Sequence, residues 1–198
     1  MTPGIPNIAA DRLEYGGSGN IGNSGRHISF NHPLAVSVKI CYNITESSGR
    51  IMEGKSMTTE YIWPGGDLTN AFALRREVFT QEQGFAEPDS DKWDEQAFHV
   101  ILWEDRQPIA TGRVYFEGSH VDIAHVGRVC IKKAFRGRGL GRILLERLEY
   151  AARTEGANKA ILGAQVQAVP FYEKVGYRVY GKEYMDEHCP HRWMEKKL

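Results

Sequence analysis

Apolar positions recur along this chain with two distinct periods. From Leu140 the spacing of Leu140, Ile143, Leu144, Leu148, Ala151 and Ala152 follows a 3.6-residue repeat and predicts an amphipathic helix, with Arg147, Glu149 and Arg153 outside its apolar face. Upstream, "AFHVILWE" and "PIATGRVYF" are β-branched and aromatic runs that predict a hairpin turning at "DRQ". "VDIAHVGRVCIKK" predicts another strand, with a bulge at Gly127. Before these, "TEYIW" reads as a short strand, followed by a helix that Asp67 caps, that buries Phe72, Val78 and Phe79, and that Gly84 ends. After the amphipathic helix come a buried strand "KAILGAQ", a short helix "VPFYEKVG" with Pro170 in its first turn and Gly176 closing it, and two last strands in "YRVYGKEY" and "HRWMEKK". The order predicts an α/β domain over 57–198, with a mixed sheet flanked by helices.

Residues 1–56 break this density. "GGSGNIGNSGR" and "ESSGRIMEGKS" are rich in Gly, Ser and Asn, and only "LAVSVKICYNI" between them resembles a strand. The expectation is an N-terminal extension, flexible or non-native, outside the fold.

Composition narrows the function classes. The 198 residues suit one domain, and 25 Lys plus Arg balance 25 Asp plus Glu, so no global field favours nucleic acid or an anionic membrane. Cys41, Cys130 and Cys189 are three and widely spaced, which argues against a disulfide framework and for a reducing, cytoplasmic setting. No apolar run approaches the ~20 residues that span a bilayer. His188, Cys189 and His191 lack a fourth ligand at a suitable spacing, so no metal is expected.

Against this neutral background one segment is locally basic. "VCIKKAFRGRGLGRILLERLEYAAR", Val129 to Arg153, carries Lys132, Lys133, Arg136, Arg138 and Arg142 around three alternate glycines, between a strand and a helix. A strand entering a Gly-rich turn and a helix N-terminus binds anions, because free N–H groups and the positive end of the helix dipole point outward. Two phosphate loops fail on spacing. The dinucleotide fingerprint requires a third glycine where Arg142 stands, and the triphosphate loop requires Gly-Lys-Ser or Gly-Lys-Thr, which does not occur.

The pattern that fits is R-x-x-G-x-G, as Arg136, Gly139 and Gly141. With the following strand "AILGAQ" and the segment "AVPFYEKVGYRV", it resembles the GCN5-related N-acetyltransferase (GNAT) superfamily; "RREVFTQEQG" and "CPHRWM" are similar to its ElaA/YjcF-type branch. The resemblance covers Met57 to Leu198. It implies a mostly antiparallel sheet splayed between the fourth and fifth strands, and acetyl-coenzyme A as co-substrate. By this resemblance the backbone amides of Arg138, Gly139, Leu140, Gly141 and Arg142, with Gly137 beside them, hold the pyrophosphate, with Arg136 or Lys133 as charge partner, while Val129 and Ile131 pair with pantetheine amides. Tyr172 falls where many members place a tyrosine that protonates the leaving thiolate, and a phenol suits that task.

Acetyl transfer to an amine also needs a base, for which Glu82 and His191 are the candidates, and an acceptor. The loop "EPDSDKWDE" sets Glu87, Asp89, Asp91, Asp94 and Glu95 around Trp93, an arrangement that attracts a cationic amine. A small-molecule amine is the favoured acceptor; a peptide or protein amine, and a homodimer, stay open. The competing reading is a non-catalytic acyl-coenzyme A sensor on the same fold, and a more remote one is a nucleotide-binding regulator.

Overall fold

The computed structural model describes residues 13–14, 37–42, 56–119 and 121–198. The period-two runs form one sheet of nine strands: β1 (Leu13–Glu14), β2 (Ser37–Tyr42), β3 (Met57–Ile62), β4 (Phe98–Glu104), β5 (Gln107–Tyr115), β6 (Ile123–Ile131), β7 (Lys159–Gln165), β8 (Arg178–Asp186) and β9 (Cys189–Lys197). Their spatial order is β1-β2-β3-β4-β5-β6-β7-β9-β8. Every pairing is antiparallel except β6 with β7, the fourth and fifth strands counted from Met57.

That parallel pairing is short. Ile123, Ala124 and His125 pair with Lys159, Ala160 and Ile161, and past His125 the two strands part. On its other side β6 carries an extra residue, since Arg113 pairs with Gly127 but Thr111 with Cys130. The bulge falls at Arg128, whose φ is 53°, one residue after the predicted Gly127. A bulge bends its strand and raises the local twist, which turns β6 away from β7.

Helix α1 (Thr69–Arg75) continues through a π-helical stretch, Arg76–Glu82, in which Gln83 N–H reaches the Val78 carbonyl at 3.2 Å. The N-cap position falls on Leu68, one residue past the predicted Asp67, whose carboxylate accepts from the Thr69 N–H at 2.9 Å and hydroxyl at 2.6 Å; Gly84, at φ 77°, ends the helix as predicted. Alternate residues of β4 face opposite layers. Ile101 packs with Ala71, Leu74 and Val78 of the first helix, while Val100 and Leu102 face α2 (Leu140–Thr154) through Leu144, Leu145 and Leu148. Each such leucine, fully buried, stabilises the fold by about 1.5–3 kcal/mol. Gly112 lets α2 come close, because a Cβ there would lie 2.7 Å from Leu148 Cδ1.

One prediction on a side chain changes. Glu149, placed outside the apolar face, is 2% exposed and holds Lys196 of β9 through both oxygens at 2.8 Å. The β4–β5 hairpin turns on Asp105 and Arg106, at φ 48° and 66°, and Asp105 also accepts from the Ser56 N–H at 3.1 Å.

Of the expected extension, the strand-like stretch joins the sheet: β2 runs antiparallel to β3 from Ser37↔Ile62 to Tyr42↔Met57. Lys39 reaches Glu60 at 3.6 Å and lies 4.2 Å from the Trp103 ring centre. Most of 1–56 lies outside the described residues, as does His120. Among the described residues no helix is long and apolar enough to cross a membrane.

Candidate functional site

A groove of about 880 Å³ opens where β6 runs into α2. The turn ends on Gly139, at φ 76°, which occupies the N-cap position of α2 without a side chain to cap it. The first amides of a 15-residue helix are thus left for an external acceptor. Gly141 serves packing: a Cβ would stand 2.9 Å from Phe171 Cζ, on α3 (Val169–Lys174). Val129, Ile131, Arg136, Gly137, Gly139, Leu140, Gly141 and Arg142 line the groove as expected. Arg138 is outside this lining; it was expected to contribute its backbone amide, and its guanidinium turns to the buried carboxylate of Glu104 on β4. Arg142 pairs along the helix with Glu146 at 2.9 Å.

The backbone of β6 is available on one side only. Lys132 N–H bonds to the Ile109 carbonyl of β5 at 2.9 Å, so strand alternation aims Val129 and Ile131 into the splay. There the Ile131 carbonyl already accepts from Arg136 Nε at 2.9 Å.

Arg136 also grips Glu82, with Nη1 at 2.6 Å and Nη2 at 2.8 Å from its two oxygens. That hydrogen bonding holds the Glu82 carboxyl below its ordinary value, with some opposition from burial and further help from the charges of Arg136 and Lys133. Glu82 lines the donor-side groove and not the cavity beyond it. A carboxylate so occupied is a poor base, and the structure places it with the charges of the turn instead.

The second cavity, about 250 Å³, sits between the parted strands. It shares Gln83, Phe85, Val129, Gln165, Ala168 and Tyr172 with the groove, so the two spaces meet. Tyr172 stands at this junction, 8% exposed and packed edge-on against Phe171 and Tyr177. Burial raises its pKa well above that of a free phenol, with a smaller contribution from Cys130, so the hydroxyl keeps its proton.

His191 lines only the second cavity, 7% exposed. Its Nδ1 lies 2.9 Å from the Cys189 carbonyl, which can only accept, so Nδ1 carries the proton and Nε2 of the neutral ring keeps a lone pair. His188 instead bonds through Nε2 to the Gln83 carbonyl at 3.0 Å. The sequence reading missed the cavity's aromatic walls. On one side Tyr115 and His125 line it, stacked with centroids 4.8 Å apart, and Trp93, outside the lining, stacks on Tyr115 at 4.7 Å. On the other, Tyr184 stacks on His191 at 5.7 Å and on Trp193 at 5.3 Å. The usable signal was period two: His191 and Trp193 share a face of β9, and Tyr115 ends β5 opposite His125. Burial lowers the pKa of His125, against a small rise from Glu117.

The acidic loop behaves differently from its prediction. Asp94 accepts from Arg75 Nη1 at 2.6 Å and Arg113 Nη1 at 2.5 Å; Asp91 accepts from Arg113; Asp89 binds Arg75 and, at 2.9 Å, Arg128. Glu87 pairs with Arg76 at 2.7 Å. Most of these carboxylates are committed to arginines of the first helix and of β5 and β6, and the loop fastens the bulge at Arg128.

Comparison with known proteins agrees with this geometry. The family model of the acetyltransferase (GNAT) domain matches residues 71–198. YjcF of Bacillus subtilis, described as an uncharacterized N-acetyltransferase, is 39% identical over 131 residues, 65% of this chain and 91% of its own. Among solved structures, an acyl-CoA N-acyltransferase from Pseudomonas aeruginosa is 30% identical with a TM-score of 0.60, covering 65% of this chain and 89% of its own. Escherichia coli ElaA is 25% identical with a TM-score of 0.61, covering 66% and 89%.

Proposed function

Because the chain belongs to the GNAT acetyltransferase family, we propose that it transfers an acetyl or short acyl group from acetyl-coenzyme A to a primary amine, by direct attack in a ternary complex. The observation that carries this reading is the meeting of groove and cavity at Tyr172, Val129 and Gln165. A donor thioester at that junction faces an acceptor from the other side, so neither has to leave before the chemistry. The groove suits a diphosphate: an uncapped helix N-terminus and Arg136 beside it.

In the step itself the neutral amine nitrogen bonds to the carbonyl carbon and the carbon–sulfur bond breaks. His191, with Nε2 free to accept, takes the amine proton directly or through water. Tyr172, kept neutral by burial, gives its proton to the departing thiolate. The Val129 amide, facing the splay, supports the developing oxyanion.

Thiol release from acetyl-coenzyme A across a panel of amines tests the reading. Release that depends on an amine supports it; donor binding without release would favour a sensor instead. Gly139→Val should abolish thermal stabilisation by coenzyme A, since a β-branched residue resists φ 76° and crowds the phosphate approach, while open space around the position lets the sheet stay folded.

A further inference from the structure

We propose that the acceptor is a small α,ω-diamine, whose second, charged ammonium is held at Asp186 while the first reacts; this rests on the amine-acetylation reading above. The lining of the 250 Å³ cavity contains several charged groups, but they differ in commitment. Asp89, Arg113 and Arg128 are tied into the loop network. Asp186, which also lines the cavity, has no ion pair or side-chain hydrogen bond among the described residues. The uncompensated charge in the cavity is therefore negative.

A monoamine gains nothing productive from that charge, because a carboxylate favours the ammonium form and only the neutral amine attacks. A second nitrogen resolves the conflict, since one can stay charged while the other loses its proton to His191. The walls suit the charged end as well. Tyr184, His191 and Trp193 line the cavity from β8 and β9, and Tyr115 and His125 from β5 and β6, so a cation there is surrounded by aromatic rings.

Strand geometry sets the spacer. Tyr184 lies opposite His191, and the register is regular from Glu183 to Asp186. Tyr184 and Asp186 therefore project to the same face about 7 Å apart, two residues along a strand. His191, opposite Tyr184, is diagonal to Asp186 at about 7–8 Å, a separation that a chain of about four or five methylenes between the nitrogens can span. A cavity this small also favours a free diamine over a lysine within a folded protein.

The test compares 1,4-diaminobutane and 1,5-diaminopentane with butylamine and a lysine-containing peptide. Two readouts are taken on the full chain: calorimetric binding to the protein saturated with coenzyme A, and thiol release from acetyl-coenzyme A. The expected result is about tenfold tighter binding of a diamine than of butylamine, weakening with salt. Asp186→Asn, at an exposed position, should bring the two ligands to near-equal affinity. Amine turnover with no diamine preference, a preference unchanged in Asp186→Asn, or a peptide that outperforms the free diamine would each overturn the proposal while leaving acyl transfer standing. Diamine binding that depends on Asp186 without thiol release would keep a diamine site at Asp186 but overturn its role as acceptor together with the transferase reading. Absence of both binding and turnover for every amine would overturn the two together.

Discussion

At the scale of single residues, Tyr172 carries the most specific expectation. Tyr172→Phe removes a hydroxyl and keeps the ring packing against Phe171 and Tyr177, so stability and coenzyme A affinity should change little. If the phenol is the general acid, kcat falls by about 10²–10⁴-fold. Melting temperature and kcat measured on one preparation separate this from a structural role, and near wild-type kcat would remove Tyr172 from the mechanism. Tyr172 and the Arg136-Gly139-Gly141 turn were legible because short-range pattern defines them: a helix start and a Phe-Tyr pair. Glu82 was not, because sequence displays a charge without its partner. Arg136, which holds it, is 54 residues away.

Among the elements, the loop between the first helix and β4 shows the same limit. Its acids read as a lure for cations, yet Asp94 is 3% exposed and lies between Arg75 and Arg113. Asp94→Asn would remove the carboxylate that both guanidiniums share, leaving Arg75 to Asp89 and Arg113 to Asp91, at a cost of about 1.5–3 kcal/mol in denaturant unfolding. Acid should act through the same network. Burial alone would raise the pKa of Asp94, but its bonds from Arg75 and from the Asp91 N–H, with both arginine charges, bring it from 3.8 to about 2. A depressed pKa means the unfolded chain binds the proton first, so this stability is present above 3.8 and lost as pH falls towards 2. Burial likewise lowers His99, against raising contributions from Asp94, so its share begins to be lost below 6.5. Denaturant midpoints that stay level from neutral pH down to pH 3 would contradict this account.

On the scale of the molecule, the order of helices and strands was readable from periodicity, and the splay only through resemblance, since no local pattern says which neighbours a strand will lack. The edge was harder still. "LAVSVKICYNI" stood in a Gly- and Ser-rich context, but its middle pairs with all of β3. A chain beginning at Met57 should keep coenzyme A binding, whose groove lies beyond β4 and β5, and should self-associate with concentration in sedimentation, because the β3 edge is then bare. A monomer at all concentrations would show that β2 does not protect that edge. The parting of β6 and β7 reaches further than catalysis. Three residue pairs join β1–β6 to the β7-β9-β8 unit, so cooperativity has few rungs to cross. In amide hydrogen exchange the smaller unit should open on its own and earlier. A molecule lying between the strands replaces the missing rungs, and coenzyme A should slow exchange in β8, a strand the groove does not include. The donor is then a temporary member of the sheet, and its departure loosens a third of the strands at once.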